Sequence, residues 1–340
     1  MKHKYRGVIV GGSIALVVGL VFYGFCGYVT INHQRVQDQL KVWKFAPTVS
    51  ITEQIKRTGM SSEGAFLYLA SEPSIESKVD FNTACSAVTT DTSILGCYIK
   101  RTQRSVIYRE TDRRLDGTEE VWAAHEMLRA AWDRMTAAQR ADLKAPLHKI
   151  LFGSTDENID LAGRMANINR DDPNDAQGEL YAIVGTEVPD AGAGLERSYA
   201  NYFTDRTTVT QLAAHARSHL VALKLQVDTL SDTITTLGTT IDKRAKAFNK
   251  SVHKLVSAIK VFNSRAETPG GFATEGQFTV ARAALIGRQH ALKSTAKNIN
   301  RQIDDFNADL KKLSGLSKTA ASLIKSLNVD LTPLPNLSKA

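Results

Sequence analysis

Cysteine is scarce in this 340-residue chain, and the scarcity narrows the chemistry. Of three cysteines, Cys26 falls inside an uncharged N-terminal stretch, leaving Cys85 and Cys97 for everything beyond it. Their spacing matches neither a Cys-x-x-Cys redox pair nor a thiolate zinc site, so those chemistries are set aside. No glycine-rich phosphate loop occurs, which removes a common nucleotide-binding device. Aromatic residues make up 7% of the chain and are nearly missing from the polar positions of its C-terminal third. A base-stacking surface therefore has no support, and no specific nucleic acid is expected as a partner. Charge of either sign is absent from Gly7 to Val29. Acid is thin towards the end: residues 207 to 340 hold 19 Lys+Arg against 9 Asp+Glu, whereas residues 30 to 206 hold 21 against 26.

The uncharged stretch is long enough to cross a hydrocarbon core of about 30 Å as a helix. Lys2, Lys4 and Arg6 precede it, and a basic flank stays in the cytoplasm. The expectation is a single-pass plasma-membrane protein with a cytoplasmic tail (1–6), a transmembrane helix (7–29) and the bulk of the chain extracytoplasmic. A cleaved signal peptide would have a shorter apolar region ending in a small-x-small site, which is not seen. Gly11, Ala15 and Gly19 fall four apart, a spacing that lets two membrane helices approach closely, so a homodimer through this face or through the coiled coil below is a candidate.

Residues 30–50 read as a polar juxtamembrane connector, followed by short helical patterns from Ile51 to Arg57 and up to Ser71. Ser93–Lys100 and Ser105–Arg109 are β-rich runs around an Arg-Thr-Gln-Arg turn, hence a hairpin. In an exported domain, Cys85 and Cys97 read as a disulfide, with two buried thiols as the alternative. Asp116-Gly-Thr-Glu119 has the form of a capping box opening a helix. Further helices are expected from Thr136 to about Leu151, from Asp175 to Val184, and around Tyr199 and Tyr202, the two tyrosines serving as packing. From residue 207 apolar residues recur every three or four positions, from Leu212 to Phe262 and again from Phe278 to Leu327. That is a coiled-coil seam, and Thr268-Pro-Gly-Gly-Phe272 interrupts it. An antiparallel helical hairpin (207–330, turn near 267–276) is expected, then a Pro-containing tail (331–340). Its basic excess also suits an anionic envelope polymer.

The stretch carrying the most chemistry is Trp122-Ala-Ala-His125-Glu126-Met-Leu-Arg129. On a helix, two histidines at i and i+4 with Glu after the first would hold zinc and activate its water. Here the fifth residue is Arg129, a permanently protonated donor that cannot ligate a metal. Either its guanidinium fills the vacated space and pairs with Glu126, Glu179 or Glu187, or it turns outward into solvent. His148, His215 and His219 read as surface residues; two histidines at i,i+4 are too few for a zinc site.

Leu115-Asp-Gly-x-Glu-Glu-Val-x-Ala-Ala-His-Glu-Met-Leu, Glu179-Leu-x-x-Ile-x-Gly-Thr-Glu187-Val and Tyr199-x-x-Tyr-Phe-x-Asp-Arg206 together resemble a family of uncharacterised bacterial single-pass membrane proteins with zincin-like ectodomains. Thr58-Gly-Met-Ser-x-Glu-Gly, Phe81-Asn-x-x-Cys85, Leu95-Gly-Cys97-Tyr and the Pro-Gly-Gly-Phe turn agree with it. The resemblance implies a first zinc ligand at His125, a general base at Glu126, and a carboxylate ligand at Glu179 or Glu187. Fuller family patterns carry histidine where this chain has Arg129 and Tyr181, which implies that zinc and catalysis have been lost.

The expected fold is mainly α, with a small α+β zincin-like domain (51–206), an N-terminal transmembrane helix and a C-terminal antiparallel coiled-coil hairpin. The expected role is an envelope interaction or scaffold protein. The alternatives are an active membrane-bound zinc metallopeptidase cleaving extracellular or wall peptides, and a binder of anionic envelope polymers.

Overall fold

The computed structural model describes residues 32–86, 95–153, 161, 165 and 173–326. The expected span 7–29, with Gly11, Ala15 and Gly19, and the tail 331–340 lie outside those residues. Among the described residues no helix is long and apolar enough to cross a membrane. The protein is mainly helical with one small sheet. It forms two compact units: one runs through His219 and includes residues from Leu323, and the other is Leu220–Ser322.

The first unit opens with helix α1 (His33–Lys44), where the sequence suggested a polar connector. Its polar face hides the reason. Asp38 is 1% exposed and receives two 2.7 Å hydrogen bonds from the Arg134 guanidinium, which also reaches the Tyr98 hydroxyl at 3.1 Å. Gln34 bonds Gln103, and Arg35 pairs with Glu63. Helices α2 (Val49–Arg57) and α3 (Ser62–Ala70) follow, each with a hydroxyl cap, Thr48 and Ser61. The residues just before α3 pair with a distant segment: Met60 bridges Phe203, and the Ser61 amide donates to the Tyr202 carbonyl at 2.8 Å.

Strands β1 (Ser74–Glu76), β2 (Gly96–Ile99) and β3 (Arg104–Tyr108) form a sheet of order β1-β3-β2. The β2–β3 pair is the expected antiparallel hairpin, whereas β1 joins in parallel. Helix α4 (Lys78–Cys85) is tied to β2 by a Cys85–Cys97 disulfide, beside a small core of Phe81 and Val106.

Helix α5 (Thr118–Arg134) is the centre of this unit and is buried along most of its length. Its start differs from the capping box that the sequence suggests. The cap is Gly117 at φ +92°, a conformation that a side chain at this position would resist. Asp116 and Glu120 are drawn instead to Arg57, and Glu119 accepts from the Glu110 amide at 2.9 Å. Helix α6 (Ala137–Gly153) does begin with a reciprocal box, between Thr136 and Gln139.

Helix α7 (Pro173–Glu187) packs along α5, with Met127, Leu128, Leu180, Ile183 and Val184 between them. Each such side chain contributes about 1.5–3 kcal/mol by leaving water. Helix α8 (Gly192–Tyr199) is followed by Arg206, whose buried guanidinium collects the carbonyls of Gly185, Val188 and Pro189 at the end of α7 and pairs with Glu196. Those carbonyls have no partner within the helix, and a cation there also answers the helix dipole.

Helix α9 (Arg206–Glu267) leads into the second unit, where it meets α10 (Glu275–Ser326). Gly238 lies against Phe306, Arg244 bonds Gln302 at 3.0 Å, and Phe262 stacks near Phe278 at 5.2 Å. Those pairs run in opposite directions along the two helices, so the unit is an antiparallel hairpin with its turn at 268–274. Leu230, Leu255, Ile299 and Leu313 are its most buried seam residues. Phe262, Phe272 and Phe278 close the turn as a three-ring cluster.

Candidate functional site

Helix α5 places His125, Glu126 and Arg129 within one turn, and α7 places Asp175 and Glu179 one turn apart. The packing of these helices brings the two sets together. His125 Nε2 lies 3.1 Å from Glu179 Oε1, and Arg129 Nε lies 3.4 Å from Glu179 Oε2, so one carboxylate serves both cationic groups. Arg129 also grips Asp175, its Nη2 on Oδ1 at 2.6 Å and its Nη1 on the backbone carbonyl at 2.7 Å. The outward, solvated orientation considered for Arg129 is not the one found: its side chain is 10% exposed.

The His125 approach to Glu179 is an ion-pair distance without the alignment of a hydrogen bond, which leaves Nε2 without a hydrogen-bond partner in a site where the residue is 2% exposed. Trp122, one turn earlier, lies against the imidazole with ring centroids 4.9 Å apart. Two glycines on facing elements make room for the polar groups. A Cβ at Gly96 would stand 2.7 Å from Glu126 Oε1, and one at Gly178 would stand 2.6 Å from the Trp132 ring and 2.8 Å from Arg129 Nη1. Gly96 belongs to β2, an edge strand, so the site is bordered by a sheet edge on one side and by α7 on the other.

Electrostatics follow from this crowding. Burial pushes the Glu126 carboxyl up to about 7, with Glu179 adding to the effect and His125 and Arg129 opposing it. Burial pulls the His125 imidazole down, but the carboxylates of Glu179 and Glu126 outweigh it and hold the value above the ordinary one. Arg129 is likewise raised: burial acts against its charge, and Glu179 and Asp175 more than restore it.

The other expected residues lie elsewhere. Glu187 is eight residues along α7 from Glu179, about 12 Å of rise, and pairs with Arg217 at 2.8 Å. Tyr181 is fully buried, stacked between Trp132 and Tyr199 with its hydroxyl 2.8 Å from Ser198. Two residues beyond Glu179 on the same helix, it points some 200° away from it. Asp175 was missed by sequence reasoning, although its place four residues before Glu179 mirrors that of Arg129 four after His125. A cleft of ≈ 560 Å³ beside the start of α5 is lined by Glu110, Asp112, Asp116, Glu119 and Glu120, and none of the site residues lines it.

A zinc ion would find one imidazole nitrogen and one carboxylate, the latter already engaged by a guanidinium standing where another ligand should be. Among the described residues no group of three His, Cys, Asp or Glu side chains is arranged to hold a metal. The donors present do not fit zinc, which takes three or four ligands and repels a neighbouring permanent cation. What the arrangement does supply is a buried, charge-dense contact that locks α5 to α7. Comparison with protein-family models, curated proteins and solved structures returned no match.

Proposed function

We propose that this chain is a single-pass, extracytoplasmic protein of zincin ancestry in which a guanidinium has taken over the charge balance of a lost zinc ion, and that it serves as an interaction or scaffold protein of the cell envelope. The reading rests on one observation: Arg129 shares Glu179 with His125 and draws in Asp175. Without a cation, the buried Glu126 and the partly exposed Glu179 and Asp175 would repel one another. A guanidinium relieves that repulsion and preserves the shape, but it cannot polarise a peptide carbonyl or activate water as a metal does.

Elemental analysis of the full-length protein purified without chelators tests this. The expected zinc content is far below one ion per chain. About one ion per chain, lost in His125→Ala, would overturn the reading in favour of a peptidase with Glu126 as its base. Arg129→His supplies the reverse test. With Glu179 already 3.1 Å from His125 Nε2, the single substitution completes a His-His-Glu set, and the variant is expected to take up zinc with a rise in Tm. Tyr181→His, which the sequence pattern also suggested, would add a polar group to the core and no ligand. Failure of Arg129→His to bind zinc would count against the ancestry.

A further inference from the structure

Charge is segregated along the helical hairpin. The antiparallel register sets residue 243 level with residue 301, five residues on from the Gly238–Phe306 contact. From that level to the turn, residues 243–301 carry 12 Lys+Arg against 2 Asp+Glu. The rest of the hairpin, residues 220–242 and 302–322, carries 4 against 6. Both arms change sign at the same height, and random scatter of charge along two separate stretches of sequence would not align that way.

The cations are exposed and ordered. Lys243, Lys246, Lys250 and Lys254 recur at three and four residues along α9, and Lys293, Lys297 and Arg301 do so along α10, so each set holds one helix face. Lys246 reaches a carboxylate, Asp242, at the border of the acidic half. Besides Ile259 (38% exposed) on the seam, the same half turns four more aliphatic side chains to water: Val256 (60% exposed), Val261 (68%), Val280 (70%) and Ile286 (43%). They lie outside the seam that joins the arms.

We propose that the turn half of the hairpin docks on an anionic phospholipid bilayer. Cations alone would serve any polyanion. Exposed aliphatics in the same half, with Val261 on the lysine face of α9, suit a surface with phosphate above and hydrocarbon just below, where both kinds of side chain gain at once. The proposal goes beyond the scaffold reading and is independent of whether the His125 site holds metal.

The test uses the full-length chain with its apolar N-terminal stretch seated in a phosphatidylcholine nanodisc, held through a C-terminal tag and offered dye-filled vesicles of phosphatidylcholine with or without phosphatidylglycerol. Capture is expected to require phosphatidylglycerol and to weaken with salt. Replacing Lys243, Lys246, Lys250 and Lys254 with Gln should lower vesicle affinity by about 100-fold. Changing Val256, Val261, Val280 and Ile286 to Ser should lower it by roughly tenfold. Replacing Lys224, Lys311 and Lys312 with Gln, in the acidic half, should leave it unchanged. Circular dichroism and Tm confirm that the variants keep their helices. Equal capture of both vesicle types, or no capture, overturns the proposal. So does full competition by soluble polyphosphate combined with an unchanged serine variant, which would assign the surface to a free polyanion.

Discussion

Two arginines on α5, five residues apart, show what a buried cation can be used for. Arg134 meets Asp38 one to one, and both side chains are nearly sealed from water. Arg129 stands among three carboxylates, Glu126, Glu179 and Asp175, with His125 as the other cationic group. The first pair is closed: one carboxylate faces one guanidinium, joined by two hydrogen bonds. The second cluster is balanced only when one carboxyl keeps its proton, and burial, with Glu179 adding to it against the pull of His125 and Arg129, makes Glu126 the one that does so, up to about 7. A clamp and a charge-frustrated cluster can thus occupy the same helix, and acidity tells them apart.

Breaking the clamp should have the largest effect. Arg134→Met leaves Asp38 buried and unpaired, at a cost of about 3–5 kcal/mol. The urea midpoint is the readout. Arg129→Met should cost about 3 kcal/mol at pH 8 and less towards pH 5, because the stranded carboxylates can then neutralise themselves. A pH-independent loss would show that the two sites do not differ as described.

Glu126→Gln sharpens the contrast from the other side. The carboxyl of the folded protein, near 7, lies above the ordinary 4.5, so the folded state binds the proton more tightly and stability falls as pH rises from 4.5 through 7. His125, raised as well, contributes in the same direction: stability present below its ordinary 6.5 is lost as pH rises through the folded value. The Gln variant should therefore match the parent near pH 4.5 and exceed it at pH 8 by at most about 3 kcal/mol. Thermal unfolding across that range measures it. The smallest effect belongs to the exposed pair Lys224–Asp228 in the hairpin: Lys224→Ala should shift stability by less than about 0.5 kcal/mol.

The hairpin was legible because it announces itself by apolar periodicity over many turns, and α5 because its His-Glu-x-x-Arg spacing reads as a helix. Helix α1 was not, since its anchoring residue is an aspartate whose partner lies almost a hundred positions away. Strand β1 is three residues long and pairs in parallel, with no turn chemistry to signal it. The start of α5 misled for a related reason: Asp116 and Glu119 have the right spacing for a box, but Arg57 and the Glu110 amide compete for them. Within the site, His125, Glu126 and Arg129 could be grouped from spacing alone. Choosing Glu179 over Glu187 needed the crossing of α5 and α7, and single-helix periodicity does not contain it.

The docking of α1 sets a limit on reach. If residues 7–29 cross a bilayer, the chain between Val29 and His33 can extend no more than roughly 14 Å. Asp38 then fastens the next helix to the folded unit. Such a domain has almost no leash: it would ride at the level of the lipid headgroups and meet only what comes to the membrane.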